Sequence, residues 1–321
     1  VKALNAEADT LLDAMRKEVS RELGLAVAAD QSRLAADIAA LGGRVNYGYS
    51  IRNAVAAVVP GSSLIALSRN PLVSHIVADR LSAASMNVSG PSIFVDSFWT
   101  PGENGGIYDG AIMDTGGDTA HPGLDDDTVG LRTWYSRTFH ATAVGWANYN
   151  DNSASTDDLQ GHGTHVAGTV FSSDATNRGI AFGADIGMNL KSGFLATDGQ
   201  GYSYDSDAHA ALDWSWQQTA EPEAVNYSFG GDAATDDDTN AQYFDSFVEY
   251  KSVSAMIAAG NSGPGANTVE TPGIAYNVIT VANMNDGDTT NRTGDTISGS
   301  SSHGPTQGGR RKPDISAPGS S

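Results

Sequence analysis

Three short strings in this 321-residue chain combine glycine with side chains able to do chemistry. The first is Asp114-Thr115-Gly116, which follows the apolar run Gly110-Ala111-Ile112-Met113. A carboxylate at the end of such a run, ahead of small turn residues, suits a fixed and partly buried anion; a turn aspartate capping its own backbone fits the same pattern. The second string is Gly161-His162-Gly163-Thr164-His165-Val166-Ala167-Gly168. Glycine on both sides of His162 lets backbone lie close to a substrate, and an apolar helix starts at once. The third, Ala258-Ala259-Gly260-Asn261-Ser262-Gly263, closes the most apolar strand-like run. A side-chain amide projecting there can donate to a developing oxyanion, a contribution of roughly 3–4 kcal/mol in acyl-transfer sites. An asparagine in a plain turn fits that string as well.

Other chemistries fit less well. His162 and His165 are three residues apart but lack the glutamate of the His-Glu-x-x-His zinc motif, which makes a zinc hydrolase the weakest reading. His165 is expected on the inner side of its helix, as a packed core histidine. With no cysteine in the chain, disulfides, a thiol nucleophile and iron–sulfur clusters are excluded together. Asp125-Asp126-Asp127 and Asp236-Asp237-Asp238 offer the oxygens a calcium ion wants. The second group also sits where a helix N-terminus favours negative charge, and that reading is preferred; the first stays open. Asn283 to Asp288 has the acidic, glycine-containing look of a calcium loop without EF-hand spacing.

The elements that must position these groups follow from periodicity. Gly110–Met113, Ile186–Leu190, Ala224–Tyr227, Ala255–Ala259 and Val278–Ala282 read as strands, with helices at Val166–Phe171, Asp207–Trp216 and Gln242–Val248. Strands apolar on both faces and separated by helices imply an α/β fold, a doubly wound and mainly parallel sheet with helices on both faces. Ligands of such sheets bind beyond the carboxyl ends of the strands, where all three strings fall. Upstream, residues 3–40 have helical spacing, Arg44–Val59 reads as two strands about a turn near Ser50, Ser62–Ser68 as a short helix and Val73–Val77 as a further strand. The chain therefore divides into a small α+β domain over residues 1–84, a Ser/Pro/Gly-rich linker over 85–106 and an α/β domain over 107–321.

Composition narrows the partners. The net charge of −20 is unevenly placed: residues 1–87 carry 9 Lys and Arg against 8 Asp and Glu, while residues 88–321 carry 9 against 30. An acidic surface of that kind repels phosphate backbones, so no nucleic-acid partner is expected. No apolar run reaches the roughly 20 residues of a membrane-spanning helix. The acidic, cysteine-free composition leans towards an extracellular or cell-surface protein.

Asp-Thr-Gly, His-Gly-Thr-His-Val-Ala-Gly and Ala-Ala-Gly-Asn, in that order, resemble the subtilisin-like serine proteases, the subtilases of peptidase family S8. Lys312-Pro313-Asp314-Ile315-Ser316-Ala317-Pro318-Gly319 resembles the family's lead-in to its nucleophile, and residues 1–80 resemble its inhibitory, chaperone-like prodomain. The resemblance implies Asp114 as orienting carboxylate, His162 as general base and Asn261 as oxyanion donor. It implies that Ser228-Phe229-Gly230 pairs with an extended substrate, with Gly199 and Gly201 of Gly199-Gln200-Gly201 on the facing edge. The implied function is a secreted serine endopeptidase acting on polypeptides, with its own prodomain as a partner in cis. It needs no cofactor for chemistry and is compatible with structural calcium, although the metal residues are not assigned.

The family's nucleophile lies in a Gly-Thr-Ser-Met-Ala string after the Ala-Pro-Gly turn, and residue 321 precedes that string; the segment bearing it is the further partner the chain needs. Ser320 and Ser321 fall too early in the pattern to replace it. An inactive scaffold serving as a surface or filament component is the alternative. Residues 1–321 alone are therefore expected neither to cleave an unstructured protein nor to react with a serine-directed covalent probe above a His162→Ala control; turnover or labelling above that control would place a nucleophile within the chain.

Overall fold

Strands that are apolar on both faces need cover on both faces, and the large sheet of this protein receives it from helices. The computed structural model describes residue 22 and residues 25–49, 53–77, 81–84, 95–99, 102–106, 108–124, 133–139, 155–174, 177–196, 200–233, 235–287, 289 and 292–320. Two compact units divide the chain, Val1–Asp79 and Arg80–Ser321.

In the first unit, a helix over residues 25–40 (α1) precedes an antiparallel hairpin of β1 (Arg44–Tyr49) and β2 (Ala54–Val58). Gln31 of α1 donates from Nε2 to the Tyr49 carbonyl at 2.9 Å, tying helix to hairpin. A short helix, α2 (Leu64–Leu67), continues a 3-10 turn at Gly61–Ser63. The strand expected at Val73–Val77 does not form: these residues are irregular, and Ile76 and Val77 are exposed. The strand that does form, β3 (Leu81–Ala84), belongs to the second unit.

The second unit has a mostly parallel central sheet flanked by helices, the doubly wound α/β arrangement. Its strands run in the order β13-β12-β11-β9-β4-β6-β5, with β14 also on β12. They are β4 (Asp109–Asp114), β5 (Thr133–Thr138), β6 (Ile186–Lys191), β9 (Ala224–Tyr227), β11 (Ser254–Ala258), β12 (Ile279–Asn285), β13 (Thr296–Ile297) and β14 (Ile315–Ser320). Only β13 is antiparallel to its neighbour. β4 lies at the switch point: the chain leaves it for β5 and β6 on one side and returns to β9, β11 and β12 on the other. β5 escaped the periodicity because its sequence, Thr-Trp-Tyr-Ser-Arg-Thr, covers a half-exposed edge rather than a doubly buried centre.

The helices are a four-residue turn α3 (Asp96–Trp99), then α4 (His162–Phe171), α5 (Asp205–Ser215) and α6 (Thr239–Lys251). α4 packs Val166, Ala167 and Phe171 against Ile112, Leu124 and Ala184, and Phe171 meets Trp134 edge-to-face at 5.6 Å between ring centres. Gly110 of β4 leaves room for that ring, since a Cβ there would lie 2.8 Å from the Phe171 ring. A second, four-stranded sheet has the order β10-β3-β8-β7, with β7 (Gly193–Leu195), β8 (Gly201–Tyr204) and β10 (Phe229–Gly230). Replacing Phe171, which is 1% exposed, by Ala should destabilise this unit by about 3–5 kcal/mol. Urea denaturation followed by tryptophan fluorescence would read this as a lowered midpoint; an unchanged midpoint would mean α4 is not held by this cluster.

Candidate active site

Asp114 ends β4 as a buried carboxylate, and each of its contacts has a local cause. The chain turns at once through Thr115 and Gly116, whose φ of +119° is left-handed and whose Cβ, if present, would lie 2.7 Å from the Thr156 carbonyl oxygen. Asp114 Oδ1 accepts from Thr115 N at 2.8 Å and from His162 Nδ1 at 2.7 Å. With Nδ1 donating, the imidazole carries its lone pair on Nε2. That atom is buried and has no hydrogen-bond partner among the described residues.

His162 is the first residue of α4, delivered by Gly161 at a φ of +96°. Gly163 has to be glycine, because a Cβ there would run into the Gly116 carbonyl oxygen. The start of the helix is held by Asp158, which the motif reading missed. Its Oδ1 accepts from Gly161 N at 2.8 Å and from Thr115 Oγ1 at 2.8 Å, and its Oδ2 from Thr164 N at 2.7 Å. Thr115 completes the tie by accepting from Gly163 N at 3.0 Å. The available signal was an acidic residue just ahead of a helix, where free N–H groups need acceptors.

Burial alone would lower the His162 pKa, but the hydrogen bond and negative charge of Asp114, helped by Asp158, outweigh it and leave the pKa raised. His165 is corrected: it is exposed rather than packed in the core, because the buried face of α4 falls on Gly163, Val166, Ala167 and Phe171.

Asn261 follows β11, and β11, β9 and β4 are parallel neighbours, so their carboxyl ends share one edge of the sheet with Asp114. Its side chain is exposed and makes no hydrogen bond among the described residues. Ser228, Phe229 and Gly230 are buried just beyond β9; Ser228 Oγ accepts from Asn226 Nδ2 at 2.8 Å. Phe229 and Gly230 pair antiparallel with Ala84 and Ala83 of β3, while Gly201–Tyr204 flanks β3 on its other side. Gly201 is the first residue of that flanking strand; Gly199 lies outside the described residues.

A second acidic residue was missed by the motif reading. Glu270 Oε1 accepts from Asn261 N at 3.1 Å and from Ser262 Oγ at 2.8 Å. Burial pushes its pKa up, the two donors pull it back, and Asp232 adds to the rise. Its signal was an isolated carboxylate in Val269-Glu270-Thr271-Pro272-Gly273, soon after the Asn261 string.

The acidic runs have protein partners or lie out of view. Asp238 caps α6 by accepting from Asn240 N and Ala241 N, and Asp236 pairs with Arg310 at 2.7 Å. Asp125–Asp127 lies outside the described residues, and among those described no three metal-ligating side chains cluster. No helix among them is long and apolar enough to cross a membrane.

The His162–Asp114 pair sets a pH dependence. A folded-state pKa above the unfolded value means that the pair's contribution to stability is fully present below about pH 6.5 and is lost as pH rises through the higher folded value. Asp114→Asn should lower the His162 titration midpoint, read from its imidazole proton resonances, and remove that part of the stability profile. A midpoint unmoved by the substitution would contradict the pairing.

Comparison with known proteins adds the context. Residues 111–321 match the model of the subtilase family, "Peptidase_S8". The chain is 35% identical over 217 residues to the serine protease AprX of Bacillus subtilis (strain 168), covering 65% of this chain and 45% of that protein. It is 31% identical over 195 residues to the subtilisin of Bacillus sp. (strain TA39), covering 60% and 42%. With the extracellular serine proteinase of Thermus sp. (strain Rt41A) it shares 28% over 232 residues, covering 68% and 50%. The chain thus spans half or less of the length of these relatives.

Proposed function

We propose, for a chain that belongs to the subtilase family, that it supplies the acid–base groups and the substrate cleft of a serine endopeptidase. The observation that carries the reading is the 2.7 Å bond from His162 Nδ1 to the buried Asp114 carboxylate, with Nε2 left unpartnered. A polypeptide laid against Phe229–Gly230 and the Gly199–Gly201 edge presents its scissile carbonyl near Asn261. His162 Nε2 takes the hydroxyl proton of the attacking serine as the oxygen adds to the carbonyl carbon, and Asp114 stabilises the imidazolium. The oxyanion accepts from the Asn261 amide. Collapse breaks the C–N bond, and Nε2–H gives its proton to the leaving amine. Water then repeats the cycle on the acyl-serine. The attacking serine is the one the family carries after its Ala-Pro-Gly turn. An inactive scaffold is not favoured, because it has no use for a buried imidazole nitrogen kept without a partner.

Residues 1–84 act as a prodomain in this reading. Support comes from β3, which takes the middle position between β10 and β8, where an extended substrate would lie. Secretion to the medium or cell surface fits the acidic composition and the similarity to the extracellular serine proteinase of Thermus sp.. The proton transfers use side chains alone; a structural calcium ion is an accompanying expectation.

The test uses the protein expressed from its complete gene. Its kcat/KM on an unstructured polypeptide should rise with pH through a His162 pKa above about 6.5, because the neutral imidazole is the base. Asp114→Asn should lower kcat by about 10⁴, and His162→Ala should abolish the pH-dependent rise. Full activity in His162→Ala would overturn the reading.

A further inference from the structure

In the smaller sheet β3 stands between β10 and β8, so those two strands are not bonded to each other. β10 is anchored in the large sheet, because it follows β9 directly across Ser228. β8 is flanked on its other side by β7, a strand of three residues, and leads straight into α5, whose first residue is Asp205. Register places that junction at one end of β3: Leu81 faces Tyr204, the last residue of β8, whereas Ala84 faces Phe229. The Phe229 end is the one nearer the catalytic pair, since Tyr227 of β9 pairs with Met113, next to Asp114.

A continuous path of hydrogen bonds joins the end of β8 to the end of β10 beneath the surface. Asn240, in the first turn of α6 and 1% exposed, donates from Nδ2 to Asp205 Oδ1 at 2.7 Å. Its Oδ1 lies 2.9 Å from Nε2 of His209, one turn further along α5. A carboxylate only accepts, so the amide nitrogen faces Asp205, and the amide oxygen accepts from the Nε2–H of His209. The imidazole is held in turn by Tyr243, whose ring stacks on it at 3.8 Å between centres and whose hydroxyl donates to the His209 carbonyl at 3.2 Å. The path continues through the Asn240 backbone N–H, which donates to Asp238 Oδ1 at 3.0 Å; the same oxygen accepts from Thr271 Oγ1 at 2.6 Å. Thr271 exchanges backbone hydrogen bonds with Gly231, the residue after β10, at 2.8 and 3.1 Å. Donating to a carboxylate while accepting from an N–H suits an amide. Aspartate at 240 would set two carboxylates together, and leucine would offer neither bond.

We infer that Asn240 is a positioning residue of the strand slot, holding β8 at one strand's width from β10 at the end remote from Asp114. The inference rests on the endopeptidase reading, in which an extended substrate takes the place of β3. Asn240 acts through Asp205 on β8 and through Asp238 and Thr271 on β10. Both flanks therefore stay set to receive backbone hydrogen bonds when β3 leaves. Substrate residues in the positions of Leu81 and Ser82 use that end of the slot, opposite Tyr204 and Ser203. A shorter peptide, reaching only the Ala84 end, does not. What Asn240 secures is binding remote from the reacting carbonyl, which holds that carbonyl in place.

The experiment uses the protein from its complete gene and two peptides with the same scissile bond, one carrying two residues on its amino-terminal side and the other six. Wild type should show kcat/KM at least about ten-fold higher for the longer peptide. In Asn240→Ala that ratio should fall at least about five-fold, through a higher KM for the longer peptide, with kcat on the shorter one within about two-fold of wild type. Asp205→Asn, which keeps an oxygen for Asn240 Nδ2, should keep the ratio, and Asp205→Ala should lose it. That last variant cuts the same link from α5 and serves if Asn240→Ala does not fold. A residue that only stabilises the fold would lower both rates alike and leave the ratio unchanged, which would overturn the inference. A wild type indifferent to peptide length would overturn it too while leaving the endopeptidase reading intact. Failure of the wild type to cleave either peptide would overturn both.

Discussion

The site depends on one oxygen of a carboxylate that is 1% exposed: Asp114 Oδ1 gathers donors from two separate segments of the large unit, while Oδ2 has no hydrogen-bond partner among the described residues. Asp114 receives the Thr115 backbone N–H and the His162 ring N–H on one oxygen. Both come from segments that would separate without further ties. Asp158 provides these, accepting at once from the turn after β4 and from the first turn of α4. The result is a direct connection between a strand end and a helix start, which sets the imidazole against the carboxylate. Charge placement agrees with backbone polarity, because Asp158 neutralises free N–H groups at the positive end of α4.

Glycine makes the same junction sterically feasible. Gly116 and Gly161 take backbone angles that other residues resist, and Gly163 lets the helix approach the β4 turn closely. Behind them the contacts are ordinary packing: Val166, Ala167 and Phe171 seat α4 on Ile112 and Leu124. The polar ties set the direction of the imidazole, and the apolar contacts hold the helix on the sheet. Their order along α4 explains why His165 points outward.

The smaller sheet obeys a different constraint. Backbone groups at β10 and β8 need partners, and an extended chain meets them with its own N–H and C=O groups. β3 does this from within the chain, so a second sheet of four strands forms beside the main one. Next to that edge, Glu270 braces the Asn261 backbone with one oxygen and leaves the other directed at the strand edge.

What the amino-acid sequence determined by itself is the local part of this account. Doubly apolar runs specify β4, β6, β9, β11 and β12, because burial on both faces leaves a continuous signal. Asp114, His162 and Asn261 stand out because chemically able side chains fall at strand ends or at a helix start among glycines. Only the tertiary structure decided which groups meet. Asp114 and His162 are 48 positions apart, and their bond depends on β4 occupying the switch point and on Asp158, whose role shows only once the two segments are adjacent. β5 escaped because an edge strand is half exposed, and β3 because it is recruited by partners far away in the chain; periodicity registers neither. Val73–Val77 misled for the converse reason: its apolar pattern is not matched by burial, and Ile76 and Val77 stay exposed. Glu270 was likewise invisible, since its meaning lies in its distance from Gly230 and Asn261, and spatial proximity across separate strands leaves no mark in a single sequence.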